Sequence, residues 1–142
     1  MLTRFHTLIT VFFLTLFSAN PGQAEIAWET SPANVIAKSR ESGKPILVFV
    51  SARWCHYCQK MKQDTWADPR VDVAVSQGFE TLVLDGDQDS ALVRPLGLRG
   101  FPATLIYTPD GRFISQQGGY LPPQRFLKWL DELRSASTRL NR

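Results

Sequence analysis

The chain has two cysteines, Cys55 and Cys58, and both lie in the pentapeptide Trp54-Cys55-His56-Tyr57-Cys58. Three kinds of chemistry use a pair at this spacing. A structural disulfide is one, but a loop this short removes few conformations from the unfolded chain and stabilises little. A metal clip is another. Structural zinc takes four nitrogen or sulfur donors, whereas Cys55, His56 and Cys58 supply at most three, on a turn too tight to aim them all at one ion. Two soft sulfurs can still hold Cu(I), so a copper-binding maturation factor remains an alternative. Covalent haem attachment takes Cys-x-x-Cys-His, and here Gln59 follows Cys58. The third chemistry is thiol–disulfide exchange, in which one thiolate attacks a disulfide and the second thiol resolves the mixed disulfide. A helix starting at the motif would favour it. Its first N–H groups are unpaired and carry partial positive charge, which lowers a cysteine pKa from about 8.5 to roughly 3.5–7.5. Cys55 would then attack, and Cys58, one turn in and more buried, would resolve.

Such a site needs a strand to deliver Cys55 and a helix to begin there. Residues 45–51, PILVFVS, form a continuous apolar run rich in β-branched side chains, the pattern of a strand buried on both faces. The run ends directly at Ala52-Arg53-Trp54-Cys55, and residues 58–66 contain no Gly or Pro and read as helix. Around this centre the remaining elements follow from local signals. Residues 26–28 suggest a short opening strand. Ser31-Pro32 supplies an N-cap and a first-turn proline for a helix to about residue 42, with Gly43 as a left-handed stop. Asp68-Pro69 opens a helix to about residue 77, stopped by Gly78. Residues 79–85 read as a strand ending in the turn Asp85-Gly86-Asp87. Residues 90–94 form a short helix limited by Pro95, and residues 97–102 a loop. Residues 103–108 and 112–117 form a hairpin about Pro109-Asp110-Gly111, which Gly118-Gly119 ends. Pro122-Pro123 opens a last helix with Phe126, Leu127, Leu130 and Leu133 on one face. The order β-α-β-α-β-α-β-β-α predicts an α/β fold whose sheet has parallel crossovers and one antiparallel strand from the hairpin.

The bulk properties narrow the setting. With 142 residues, 44% hydrophobic and 20% charged, the chain fits one globular domain. Its 16 basic and 13 acidic residues are scattered, so the net charge of +3 gives no nucleic-acid footprint. Residues 1–7 carry Arg4 and His6 and no acid, residues 8–17 are LITVFFLTLF, and Gly22 and Ala24 flank Gln23. This is the layout of a secretory signal peptide, with an apolar run well short of the roughly 20 residues of a membrane span. The expectation is a signal peptide over 1–24, cleavage after Ala24 and a mature domain over 25–142; a retained N-terminal membrane anchor is the minor alternative. Export places the cysteines where disulfides persist and leaves His56 as the mature chain's one histidine.

The sequence resembles the thioredoxin superfamily over residues 31–133. Trp54-Cys55-x-x-Cys58 after the buried strand matches the family's active site, GFPAT (100–104) its cis-proline loop, and PDGR with Gly118-Gly119 its closing hairpin. Residues 51–71, SARWCHYCQKMKQDTWADPRV, more narrowly resemble the C-terminal periplasmic domain of the DsbD-type reductase and its free-standing exported relatives. The resemblance implies a thioredoxin fold, a central mixed sheet with helices on both faces. It implies a cis Pro102 facing Cys55, with the N–H and C=O of Phe101 available to an extended substrate. It implies a periplasmic protein-disulfide reductase whose redox centre is the Cys55–Cys58 disulfide, with no other cofactor and no metal. Its partners would be disulfide-containing exported proteins and a membrane-bound electron donor of the DsbD type; oxidase or isomerase activity is the alternative direction. Trp54 and Tyr57 would form an apolar docking rim, and a protonated His56 would raise the thiolate fraction of Cys55. Trp66 and Trp129 are assigned to core packing or to a helix surface, not to the site. Two departures stand out. Phe49 occupies the position of thioredoxin's buried aspartate, and Thr81 that of its lysine partner. Glu80 and Asp85 are the strand-end carboxylates that remain, both expected in solvent, so deprotonation of Cys58 is left to water, His56 or the substrate.

Overall fold

The computed structural model describes the backbone of residues 25–140 and side chains as far as residue 136, so the expected signal peptide lies outside the described residues. Every residue of β1 (Ile46–Ser51) is buried, as its unbroken apolar run requires. Before it, α1 (Pro32–Ser42) starts on the Ser31 hydroxyl, which accepts the Asn34 N–H at 3.3 Å, and stops at Gly43, whose φ of 72° is left-handed. After it come α2 (His56–Asp64) and α3 (Pro69–Gly78), the latter capped by the Asp68 carboxylate on the Arg70 N–H at 2.9 Å. Then follow β2 (Glu80–Asp85), the four-residue α4 (Ser90–Val93) running on through a 3-10 turn over Arg94–Leu96, β3 (Ala103–Tyr107), β4 (Phe113–Gly118) and α5 (Pro123–Leu140).

The strands form one mixed sheet in the order β2-β1-β3-β4. β1 and β2 are parallel, while β3 runs antiparallel to β1 and to β4. The expected set of parallel crossovers is therefore reduced to one. The reason is length. A six-residue strand spans about 20 Å, whereas α4, at 1.5 Å per residue, covers about 6 Å. It cannot carry the chain back along the sheet, so β3 starts at the end where β2 finished. That reversal puts the residues before β3 next to the exit of β1.

Further expectations are refined. Residues 26–28 form no strand. The segment makes a single parallel bridge, Glu29 to Leu82, and is held instead by burial of Ile26 and by the Thr81 hydroxyl, which donates to the Ala27 carbonyl at 2.7 Å. The short helix ends at Val93, before Pro95 as expected, and the proline's fixed φ and missing N–H are tolerated in the first turn of the 3-10 segment that follows. Gly78 is the last residue of α3 and has no left-handed φ; the chain leaves through extended Phe79.

Helices cover both faces. Val48, Val50, Leu82, Leu84 and Leu105 pack with Val35 of α1 and Val93 of α4. On the other face Leu47, Phe49 and Ile106 pack with Met61 of α2, Val71 and Val75 of α3, and Phe126, Trp129 and Leu130 of α5. Trp66, after α2, sits edge-on to Phe49 and Phe126 with ring centroids 5.2 and 5.0 Å apart. Trp66 and Trp129 are thus core residues, as expected.

Candidate active site

α2 begins at His56, two residues earlier than the sequence suggests, which makes Cys55 its N-cap. Cys55 has extended backbone angles, and its Sγ accepts the Cys58 N–H at 3.1 Å. Its carbonyl accepts from Cys58 and Gln59, each at 3.2 Å, so the first turn closes on this one residue. A sulfur in that position faces the unpaired N–H groups of the helix, which favour negative charge there. Cys55 and Cys58 are joined by a disulfide with their Cα atoms 5.2 Å apart. Cys55 is 6% exposed and Cys58 fully buried, and they pack with Ala52 and Phe101.

The second wall of the site comes from the approach to β3. The Phe101–Pro102 peptide bond is cis. Proline has no N–H to pair, and the Pro102 carbonyl accepts the Gly119 N–H at 2.7 Å, which ties the loop to the glycine pair. Gly119 has φ 84°, a conformation other residues adopt only with strain. The Phe101 ring lies directly on Gly86, so closely that a methyl group there would overlap it. The ring is also 5.9 Å from that of Trp54, whose indole N–H donates to Asp87 Oδ2 at 2.9 Å.

Trp54 and Tyr57 are the exposed aromatics of the motif, at 70% and 58%. Tyr57 stacks edge-on with exposed His56 at 5.6 Å and lies 6.3 Å from Tyr120. The Tyr120 hydroxyl donates to Asp64 Oδ2 at 2.7 Å, and Lys60 donates to the same oxygen at 2.6 Å. Lys60 first and Tyr120 second hold the Asp64 carboxyl below the usual carboxylate range. The structure therefore gathers Trp54, Cys55, Cys58, Phe101 and Pro102 at one end of the sheet, with His56 and Tyr57 on its outer rim.

Sequence reading missed Gly86, Asp87 and Tyr120. Asp85-Gly86-Asp87 registers as a turn, but its place after a parallel strand, where α/β sheets put their sites, was the available signal. Nothing local marks Tyr120. Asp85 is half-buried, where the sequence placed it in solvent. Its carboxylate accepts the N–H groups of Gln88 and Asp87, at 3.1 and 2.9 Å, which hold its pKa low with help from Arg53 and Lys62. Phe49 and Thr81 are buried where the resemblance would place an aspartate and a lysine. Among the described residues, no three His, Cys, Asp or Glu side chains group so as to hold a metal ion, and no helix is long and apolar enough to cross a membrane.

Residues 32–134 match the family model described as a Thioredoxin-like domain. Curated relatives include the thiol:disulfide interchange protein DsbD of Tatumella citrea, 32% identical over 103 residues, which cover 68% of this chain and 18% of the relative. That of Ralstonia nicotianae is 35% identical over 75 residues, covering 49% of this chain and 12% of the relative. The chain thus matches less than a fifth of the length of these relatives. Among solved structures, a thioredoxin from Thermus thermophilus superposes with a TM-score of 0.68 at 24% identity, covering 80% of this chain and 88% of the other. The reduced C-terminal domain of Neisseria meningitidis DsbD gives 0.61 at 24%, covering 70% and 90%. These two likenesses bear on the fold, which is the expected thioredoxin fold.

Proposed function

The chain belongs to the thioredoxin-like family, a thiol–disulfide oxidoreductase with a Cys-x-x-Cys pair, and from that premise we propose that it works in the periplasm, reducing or exchanging disulfides in exported proteins. The observation that carries this reading is the placement of the Cys55 sulfur as the N-cap of α2, with Cys58 fully buried behind it. In the reduced protein Cys55 is the thiolate. It attacks one sulfur of a client disulfide, forming a mixed disulfide and releasing the other client sulfur as a thiolate, which takes a proton from solvent. Cys58 loses its proton and attacks Cys55 Sγ, and the Cys55–client bond breaks. Two electrons pass to the client, and the Cys55–Cys58 disulfide remains.

The other site residues then act in docking. Trp54, before the pair, offers exposed aromatic surface, as does Tyr57, which with His56 lies between the cysteines. The Phe101 backbone, before cis-Pro102, offers an N–H and a C=O to an extended client segment. The DsbD relatives support a reducing direction, with a membrane-bound donor of that type returning electrons to the pair. The N-terminal sequence, read as an export signal, supports the compartment.

Equilibration of the Cys55–Cys58 couple with glutathione mixtures tests the direction. A potential near that of thioredoxin, about −270 mV, is expected. One near that of DsbA, about −120 mV, would make the protein an oxidant. Cys55→Ser is expected to abolish turnover of a protein disulfide, measured by insulin reduction, while leaving the fold unchanged by circular dichroism.

A further inference from the structure

Ser51 ends β1, one residue before Ala52 and four before Cys55. It is 4% exposed, and its Oγ has no hydrogen-bond partner among the described residues. A buried hydroxyl left unpaired is costly, and each instance in a folded protein calls for a reason. Side chains alternate along a strand, so Ser51 shares the face of Phe49 and Leu47, the face on which Met61 of α2 packs. β1 and β3 pair Phe49 with Thr104 and Val50 with Ala103. Continuing that register by one residue sets Ser51 against Pro102. Cys58 and Met61, three apart, are the buried residues of α2; Met61 packs on this face, and Cys58 packs with Ala52, the residue that follows Ser51. Ser51 is thereby a buried polar residue at the end of the sheet from which the chain leads into the cysteine cluster.

No charged group competes for that place. Around the pair, His56, Tyr57 and Lys62 along α2 are exposed, as are Arg53 on the preceding turn and Asp87 after β2. Asp85 is half-buried and committed to the turn N–H groups. β3 brings only apolar side chains and the hydroxyls of Thr104 and, at its far end, Tyr107.

We infer that Ser51 is the hydrogen-bond partner of the resolving cysteine: its hydroxyl, unpaired while Cys58 is in the disulfide, donates to the Cys58 sulfur in the reduced protein. The inference rests on the exchange reading above. A disulfide sulfur is a poor acceptor and a thiolate a strong one, and hydrogen bonds to charged acceptors are the stronger kind. Ser51 takes no proton. The Cys58 proton goes to solvent, and the hydroxyl stabilises the thiolate that then attacks Cys55 Sγ. In this chain a neutral donor does the work for which position 49 carries no carboxylate.

The test mixes the reduced full chain with dithiobis(nitrobenzoate). Cys55 attacks first, releasing one thionitrobenzoate and forming an aryl mixed disulfide. Cys58 then forms the Cys55–Cys58 bond and expels the second. Ser51→Ala should leave the first release unchanged, slow the second about tenfold, the size of one charge-assisted hydrogen bond, and move its pH profile upward. The glutathione equilibrium should shift severalfold toward the disulfide. Thr104→Val is the control. Thr104 Oγ1 is also buried and unpaired, but Thr104 pairs with Phe49, two residues back along β1 from Ser51, and its removal should alter neither reading. A second release within twofold of the unmutated rate in Ser51→Ala, or an equal slowing in Thr104→Val, overturns the inference. Absence of the first release in the unmutated protein overturns the exchange reading, and this inference with it.

Discussion

One face of the sheet packs valine and leucine from three strands against α1 and α4; the other packs Phe49, Trp66, Phe126 and Trp129 beneath α2, α3 and α5. Among the described residues, the buried side-chain polar atoms without partners, Ser51 Oγ, Thr104 Oγ1 and Trp66 Nε1, all belong to the second face. An aliphatic layer has no polar group to satisfy and can close tightly. The aromatic layer tolerates three unmet groups, each costing about 1–3 kcal/mol, on the side where the cysteines act. The difference teaches that the two faces differ in how fully their polar groups are satisfied, with β1 contributing to both.

The largest test of that division is Leu105→Ala. Leu105 is buried in the aliphatic layer, and its truncation should cost about 2–5 kcal/mol, measured by urea unfolding. The rate of disulfide exchange per folded molecule should not change. A fall in that rate would show that the aliphatic side reaches the chemistry after all.

Phe101 is where the two sides touch, since it packs with both the aliphatic layer and the cysteine cluster. Gly86→Ala should push its ring away at a cost of about 1–3 kcal/mol. Exchange with a peptide disulfide should slow severalfold, exchange with a small aryl disulfide should be unaffected, and Trp54 fluorescence should report the displaced ring. Equal slowing of both substrates would move Phe101 from docking to chemistry.

The smallest effect concerns α3 on the aromatic side. The Arg70 guanidinium, ahead of backbone N–H bonds, holds the Asp68 carboxyl down to about 2. A depressed folded pKa gives stability that is complete above the ordinary aspartate value of about 4 and is lost as pH falls through the folded value. Asp68→Asn keeps a capping oxygen and removes the charge. Its deficit in unfolding experiments should be constant near neutrality and close between about pH 4 and about pH 2. A deficit that persisted below that range would assign the effect to capping alone.

Much of this was legible from local signals. The run before the cysteines specified a fully buried strand, and Ser31, Gly43, Asp68 and Pro69 marked helix ends because caps act within three or four residues. The motif GFPAT located the cis peptide. What escaped depends on contacts distant in sequence. The direction of β3 follows from how far α4 can reach, and the seat of Phe101 on Gly86 spans 15 positions that no periodicity links. The Trp54–Asp87 and Tyr120–Asp64 bonds are of the same kind. Ser51 passed as the polar end of an apolar strand, because a missing partner cannot be seen until every neighbour has been placed.

The antiparallel return of β3 has a consequence for how the protein becomes competent. Cys55 and Cys58 are close in any conformation of the chain, so their bond can form before anything else has folded. The wall opposite them cannot. Phe101 and Pro102 arrive only when β3 has docked on β1, and Gly119 secures them only when β4 has followed. An incompletely folded copy can thus carry the sulfur pair without the wall that faces it in the folded sheet.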